Sequence, residues 1–245
     1  MANLIVDEGN TLCKIAVIDK NELLCEMSAP EFDMEQAAEL LEQFTVKQAI
    51  VASTRGGAER ICEQLRSKIS NVLHFTSQTD VPIEIEYASR QTLGADRIAV
   101  AVGVVCEMGV NDALIVDMGS AITFDIVENG IFKGGNISLG VAMRFKALHE
   151  FTASLPLCEA TEPNNKFGKS TKEAIEQGVM QGVLYEIEGY VRRISAENDK
   201  KNIIFCGGDA ESFVNRIKNA IFAPRKLMFT GLNRILEYNV SKNNI

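Results

Sequence analysis

The chain has 245 residues, with 25 Lys plus Arg against 33 Asp plus Glu and a net charge of −8. At 46% hydrophobic and 24% charged residues it has ordinary globular composition, and its acidic balance excludes a basic nucleic-acid-binding surface. Only two histidines are present, His74 and His149, which excludes most His-rich zinc sites and weakens any Ser-His-Asp arrangement. The six cysteines are scattered with no C-x-x-C pair, so reduced thiols in a cytoplasmic protein are expected. The opening segment MANLIVDEGNT has no basic stretch, and the longest apolar run, IAVAVGVVC from Ile98 to Cys106, is too short for a bilayer. The expected partners are small molecules, with no nucleic acid and no membrane.

In chain order, the first segment is LIVDEGNTLCKIAVIDK, Leu4 to Lys20. It reads as a buried strand, a D-x-G turn and a second strand, then an Asp19-Lys20-Asn21 turn into a third strand. Asp33 to Phe44 has helical spacing, with Asp33 as cap and Gln36 three residues later. Gln48 to Ser53 is a short apolar strand, Gly57 to Ile69 an amphipathic helix, and Asn71 to Phe75 another strand. Tyr87 lies in the alternating run IEIEYA, which suits a strand. Ala95 to Met108 reads as one mostly apolar helix.

The second half opens on LIVDMGSAITFDIVENG, Leu114 to Gly130, which aligns with the first segment without a gap, 110 residues on. Leu4, Ile5, Val6, Asp7, Gly9 and Val17 find identical partners in Leu114, Ile115, Val116, Asp117, Gly119 and Val127. A repeat at half the chain length predicts two related domains, residues 1–110 and 111–245. Val141 to Phe151 then reads as helix and Cys158 to Lys169 as loop. Ser170 to Ala196 reads as one long helix opened by a Ser170–Glu173 capping box. Asn202 to Cys206 is a strand, Asp209 to Lys218 a helix and Gly231 to Tyr238 the last helix. Strands alternating with helices after each hairpin predict an α/β protein with mixed sheets flanked by helices.

A carboxylate at the end of a buried strand, followed by Gly, sits at the mouth of a sheet where backbone N–H groups can approach a phosphate. Asn10 and Thr11 add short polar side chains, Lys14 adds a cation, and Asp7 could hold a hydrated magnesium ion. One such turn is also explained by hairpin geometry alone. Two at matching positions favour nucleotide binding.

The combination of motifs resembles the acetate and sugar kinase, heat-shock chaperone and actin superfamily, and within it the type III pantothenate kinases. The residues that carry this are D-E-G-N-T-x-x-K at Asp7 to Lys14, Gly94-Ala95-Asp96-Arg97, D-x-G-[ST]-A-x-T-x-D at Asp117 to Asp125, and Gly134-Gly135-x-Ile137. The resemblance implies two ribonuclease-H-like domains with an ATP cleft between them. It implies phosphorylation of the primary hydroxyl of pantothenate, the first step of coenzyme A synthesis, by a homodimer. Asp7, Glu8, Gly9, Asn10, Thr11, Lys14 and Ser120 would bind ATP. Asp96 would be the general base. Tyr87, Gly94, Ala95, Asp96, Arg97 and Thr171 would bind pantothenate. Asp117 would bind potassium or ammonium, and Mg2+ would accompany ATP.

On the residues alone, other roles compete. Asp96 suits any helix N-terminus, Thr171 could cap a helix, Tyr87 could be a core or edge aromatic, and Lys14 a solvated charge. Another small-molecule kinase of the superfamily, or a non-catalytic regulatory protein on the same fold, are the alternatives. Two positions depart from the family pattern: Ser120 stands for the usual Thr, keeping the hydroxyl, and Leu139 for the usual Pro, removing a source of loop rigidity.

Overall fold

The computed structural model describes residues 2–164, 166–197, 200–223 and 226–242. The chain runs β1 (Ala2–Glu8), β2 (Cys13–Asp19), β3 (Glu22–Ala29), α1 (Met34–Gln43), β4 (Val46–Ser53), α2 (Ala58–Arg66), β5 (Asn71–His74), β6 (Glu84–Ile85) and α3 (Ala95–Val102). It continues with β7 (Ala113–Met118), β8 (Ala121–Glu128), β9 (Ile131–Leu139), α4 (Val141–Glu150), α5 (Thr171–Glu197), β10 (Asn202–Cys206), α6 (Glu211–Val214), β11 (Ala220–Phe222) and α7 (Leu227–Ser241). Among the described residues no helix is long and apolar enough to cross a membrane.

Two compact units result. The first comprises Met1–Asn111, Gly130–Phe132 and Lys226–Ile245. Its sheet has the order β3-β2-β1-β4-β5, with β1 antiparallel to β2 and parallel to β4. One face, carrying Leu4, Val6, Ile15 and Val17, packs on Leu40 of α1 and on Ile61 and Leu65 of α2. The other face carries fully buried Ile5, Ala16, Ile18 and Ile50 and lies against α7, which also packs on α3. Burial on both faces explains why β1 is a near-continuous apolar run rather than an alternating one. Leu232, Ile235 and Leu236 of α7 are fully buried, each contributing about 1.5–3 kcal/mol. A hydrogen bond from Asn3 Nδ2 to Asn233 Oδ1 (2.8 Å) fixes the register of α7 on β1.

The second unit comprises Asp112–Asn129 and Lys133–Arg225. Its strands follow the order β11-β10-β7-β8-β9; β7 is parallel to β10 and antiparallel to β8. Leu114, Val116, Phe124, Phe145, Val183, Ile187, Phe205 and Phe213 form its core. The sequence repeat thus builds the same central hairpin in each unit.

Several sequence expectations change in detail. Ala95 to Met108 is not one regular helix: α3 stops at Val102 and a π-helical turn covers Gly103–Glu107. Gly103 lies against Leu227, where any Cβ would collide with the Leu227 side chain and carbonyl, so α7 decides the local geometry. The run IEIEYA forms only the two-residue strand β6, paired with Ile131 and Phe132, and Tyr87 lies beyond it. Asp209 to Lys218 shrinks to the single turn α6, and β11 follows at a stretch the apolar pattern does not mark. Asp33 does cap α1, accepting from Glu35 N–H (2.8 Å). In the first hairpin turn it is Lys20, at φ 56°, that takes the left-handed conformation; Asn129 and Gly130 do so in the second.

The repeat itself carries a one-residue offset that the gapless alignment hides. In the first hairpin Asp7 faces Lys14 and Glu8 faces Cys13. In the second, Asp117 faces Thr123 and Met118 faces Ile122. The second loop is one residue shorter, so the counterpart of Lys14 is Thr123 and not Phe124.

Candidate functional site

The first unit gathers Asp7, Lys14, Asp96, Arg97 and Tyr87. Asp7 stands near the end of β1, and its partner across the antiparallel pair is Lys14. Residues directly opposite in such a pair share a face, so the carboxylate and the ammonium lie on one side of the hairpin. Burial pushes the Asp7 pKa from its ordinary 3.8 up to about 6; Lys14 pulls it back and the nearby Asp96 carboxylate pushes it further. Asp96 lies in the first turn of α3, after Gly94, and its Oδ1 accepts the Arg97 N–H (2.8 Å). A Cβ at position 94 would collide with that oxygen, so glycine there leaves room for the carboxylate. The fold thus brings Asp7 and Asp96, 89 positions apart in the sequence, into electrostatic contact.

Arg97 is buried, its guanidinium carbon 5.9 Å from the Tyr87 ring centroid and 5.7 Å from that of Phe132. Such contacts suit a delocalised guanidinium. Sequence reasoning named Tyr87 and Arg97 but not Phe132, which only strand pairing with β6 brings into place.

The D-x-G turn closes with a hydrogen bond from Gly9 N–H to the Leu12 carbonyl (3.0 Å), leaving Asn10 and Thr11 exposed at the tip. Glu8 points elsewhere. It is 4% exposed, and its carboxylate accepts from Ser53 Oγ (2.5 Å). Its carbonyl accepts from the Thr54 N–H (2.9 Å) and hydroxyl (3.2 Å). Ser53 Oγ in turn accepts the N–H groups of Arg55 and Gly57, and a Cβ at Gly57 would strike the Glu8 carboxylate. Glu8 therefore ties β1 to the Ser53–Gly57 loop after β4. That support was missed in the sequence, although an apolar strand ending in S-T-R-G-G was its signal.

The second unit gathers Asp117, Ser120, Thr123, Asp125 and Cys206. Asp117 pairs with Thr123 on one side and with Cys206 on the other. Thr123 Oγ1 donates to Asp125 Oδ2 (3.1 Å), and Asp125 is 2% exposed. Burial holds the Cys206 thiol protonated, its pKa well above the ordinary value, with the charges of Asp117 and Asp125 and a hydrogen bond to Asp117 adding to the rise. Gly207, at φ 91°, crosses so close to Asp117 and Met118 that a Cβ would collide with both. The Asp209 N–H then donates to the Met118 carbonyl (3.1 Å). The Cys206–Asp209 turn is thereby locked beside the second D-x-G turn.

Thr171 begins α5 and is exposed. It does not cap the helix. Ser170 Oγ accepts the Glu173 N–H (3.3 Å), and the Glu173 carboxylate accepts the Lys169 N–H (2.8 Å). With Arg144, Leu148, Leu155 and Val179, Thr171 lines an open pocket of about 410 Å³. Among the described residues no group of three or more His, Cys, Asp and Glu side chains is arranged to hold a metal ion.

The family model for type III pantothenate kinase matches residues 3–193. The chain belongs to the type III pantothenate kinase family. A type III pantothenate kinase of Phocaeicola vulgatus is 37% identical over 238 residues, 97% of this chain and 98% of that one. One from Porphyromonas gingivalis is 38% identical over 242 residues, 97% and 99% of the two chains. Solved structures show the same fold. A Baf-family protein of Campylobacter jejuni has TM-score 0.63 at 24% identity, covering 97% of this chain and 99% of that one. The activator of 2-hydroxyisocaproyl-CoA dehydratase from Clostridium difficile, with bound ADPNP, has TM-score 0.56 at 13% identity, covering 100% and 98%. As a pantothenate kinase the protein transfers a phosphoryl group from ATP to pantothenate, the first step of coenzyme A synthesis.

Proposed function

We propose that Asp96 is the base of this reaction and that Asp7 serves the phosphates of ATP. The observation that carries the reading is the convergence of two carboxylates, one from the end of β1 and one from the first turn of α3. Phosphoryl transfer asks little covalent chemistry of a protein and much positioning. The pantothenate hydroxyl oxygen forms a bond to the γ-phosphorus, the bond from phosphorus to the ADP oxygen breaks, and Asp96 takes the hydroxyl proton. Arg97, beside the Tyr87 and Phe132 rings, supplies a cation for the carboxylate of pantothenate. Gly94 and Ala95 let the substrate approach the start of α3. The Gly9–Thr11 tip and Lys14 receive phosphate oxygens.

Asp7 fits a divalent cation: it is a carboxylate whose burial opposes its charge and beside which a second carboxylate stands. A bound Mg2+ would neutralise phosphate charge, and such ions take one or two carboxylates with phosphates completing the shell. Asp117 fits a monovalent cation, since the adjacent Asp125 is buried and the facing residue is Thr123 rather than a lysine. Ser120 on the same turn serves ATP, and Thr171 serves pantothenate. The enzyme works as a homodimer in the cytoplasm, where free cysteines are expected; a monomer mass by light scattering at micromolar protein would overturn the dimer.

Asp96→Asn tests the central assignment. Turnover in an ADP-release assay is expected to fall by about 10²–10⁴-fold, the range of general-base contributions, while ATP binding and the circular dichroism spectrum persist. A near-normal rate would remove Asp96 from the role.

A further inference from the structure

We infer that Arg144, on α4, is a positioning residue for the nucleotide-side turn of the second unit. Its guanidinium makes three hydrogen bonds. Nε donates to the Leu139 carbonyl (2.8 Å) and Nη2 donates to Ser138 Oγ (2.9 Å). Nη2 also donates to the carboxylate of Glu186 on α5, which forms an ion pair with it. Both partners are partly shielded, with side chains 21% and 26% exposed. Charge-assisted bonds in a planar fork fix direction as well as distance. The guanidinium therefore pins the last two residues of β9 to two helices at once.

The residue after β9 gives the clamp its purpose. Gly140 lies backbone to backbone against the second D-x-G turn, so close that a Cβ would collide with the Ser120 and Gly119 carbonyls. A shift of Leu139 moves Gly140, whose backbone lies against Gly119 and Ser120. Position 139 carries leucine, which leaves φ free where a proline would fix it. Arg144 supplies by hydrogen bonding the rigidity that the leucine does not. Ile137, Leu139 and Met143 nearby are exposed and add little packing; besides the sheet, the segment is tied to α5 by Asn136 Nδ2, which donates to the Tyr190 hydroxyl (2.9 Å). The inference rests on the assignment of Asp117 and Ser120 to nucleotide and cation.

Arg144→Gln, Arg144→Lys and Glu186→Gln are to be compared with Ser120→Ala and Asp117→Asn in steady-state assays varying ATP and pantothenate separately. Arg144→Gln should raise the KM for ATP about tenfold, the scale of sub-ångström misplacement of a binding group. Arg144 also lines the pocket that holds Thr171, so the variant's KM for pantothenate should rise less than its KM for ATP. Arg144→Lys, which keeps the charge but not the fork, should lie between Arg144→Gln and the unaltered enzyme. Glu186→Gln keeps the fold's packing and should move ATP in the same direction, which leaves a test if Arg144→Gln does not fold. A lowered melting temperature with both KM values unchanged would overturn the inference, as would a rise in the pantothenate KM with the ATP KM unchanged, which would leave the Thr171 pocket as the place where Arg144 acts. If Ser120→Ala and Asp117→Asn leave ATP and cation dependence unchanged, the assignment of that turn fails and this inference with it. If they change it and the Arg144 and Glu186 variants do not, only the positioning role fails.

Discussion

Asp7→Asn should make the nucleotide-free enzyme more stable and less able to bind Mg·ATP. Burial lifts the Asp7 pKa from 3.8 to about 6, and at 1.36 kcal/mol per pKa unit that corresponds to about 3 kcal/mol against the charged form. Between those two pH values the folded enzyme keeps a proton that the unfolded chain has released. Stability from this group is therefore full below about pH 4, falls as pH rises through the window, and is lost above about pH 6. Asparagine carries no charge to desolvate, so the variant should gain up to about 3 kcal/mol at pH 7.5 and almost nothing at pH 4. The chain has no tryptophan, so urea unfolding followed by far-ultraviolet circular dichroism at both pH values is the suitable assay. Equal stability at pH 7.5, or a gain that does not change with pH, would refute the reasoning. The same titration predicts that Mg·ATP binds more weakly to the unaltered enzyme below about pH 6, because a proton then competes with the cation for Asp7.

Two further outcomes test the rest of the site. Turnover should be higher in potassium than in sodium, and Asp117→Asn should lower it and remove the difference; potassium-independent turnover by the unaltered enzyme would unseat Asp117 as the cation ligand. Arg97→Lys keeps the charge but loses the planar fork and the guanidinium contacts with the Tyr87 and Phe132 rings, so the pantothenate KM should rise about tenfold with the ATP KM unchanged; an unchanged pantothenate KM would remove Arg97 from substrate recognition.

The strands and long helices were legible because both faces of β1 and β7 are buried and α5 opens on a readable cap. Wherever the outcome depended on a distant segment, the local pattern failed. Nothing between Ala95 and Met108 announces that Leu227 will press on Gly103, and that contact accompanies the change from α to π geometry. Asp209 to Lys218 has a helical composition, but the chain must reach β11 and pair it with β10, which leaves room for one turn. In the site, Asp7, Asp96 and Asp117 were legible as strand-end and helix-start carboxylates. Phe132 was not, because its place beside Arg97 follows from strand pairing. Glu8 was misleading for a simpler reason: adjacent residues on a strand face opposite ways, so a motif written as a continuous string cannot aim all of its side chains at one ligand.

The offset between the two hairpins sets a lysine opposite Asp7 and a threonine opposite Asp117. Asp7 and Asp117 are equivalent strand-end carboxylates, each beside a D-x-G turn. In the first hairpin the four residues Gly9 to Leu12 connect the pair, and the facing position holds Lys14. In the second the connection is shorter by one residue, and the facing position holds Thr123. A one-residue change in a hairpin loop moves the whole facing strand by one position and reverses which side chains share a face. Phe124, which the gapless alignment sets against Lys14, is accordingly turned into the core, 2% exposed and stacked on Tyr190 at 3.9 Å between ring centroids. The face beside Asp117 carries a hydroxyl, a second buried carboxylate and a protonated thiol. Such a set favours a weakly hydrated cation held by oxygen over a fixed ammonium. If the cation proposed at Asp117 stands on this face, replacing Thr123 by Lys should place a protein charge there, and turnover of Thr123→Lys should lose its preference for potassium over sodium. If the variant folds and still requires potassium, the cation does not stand where a lysine at position 123 could replace it.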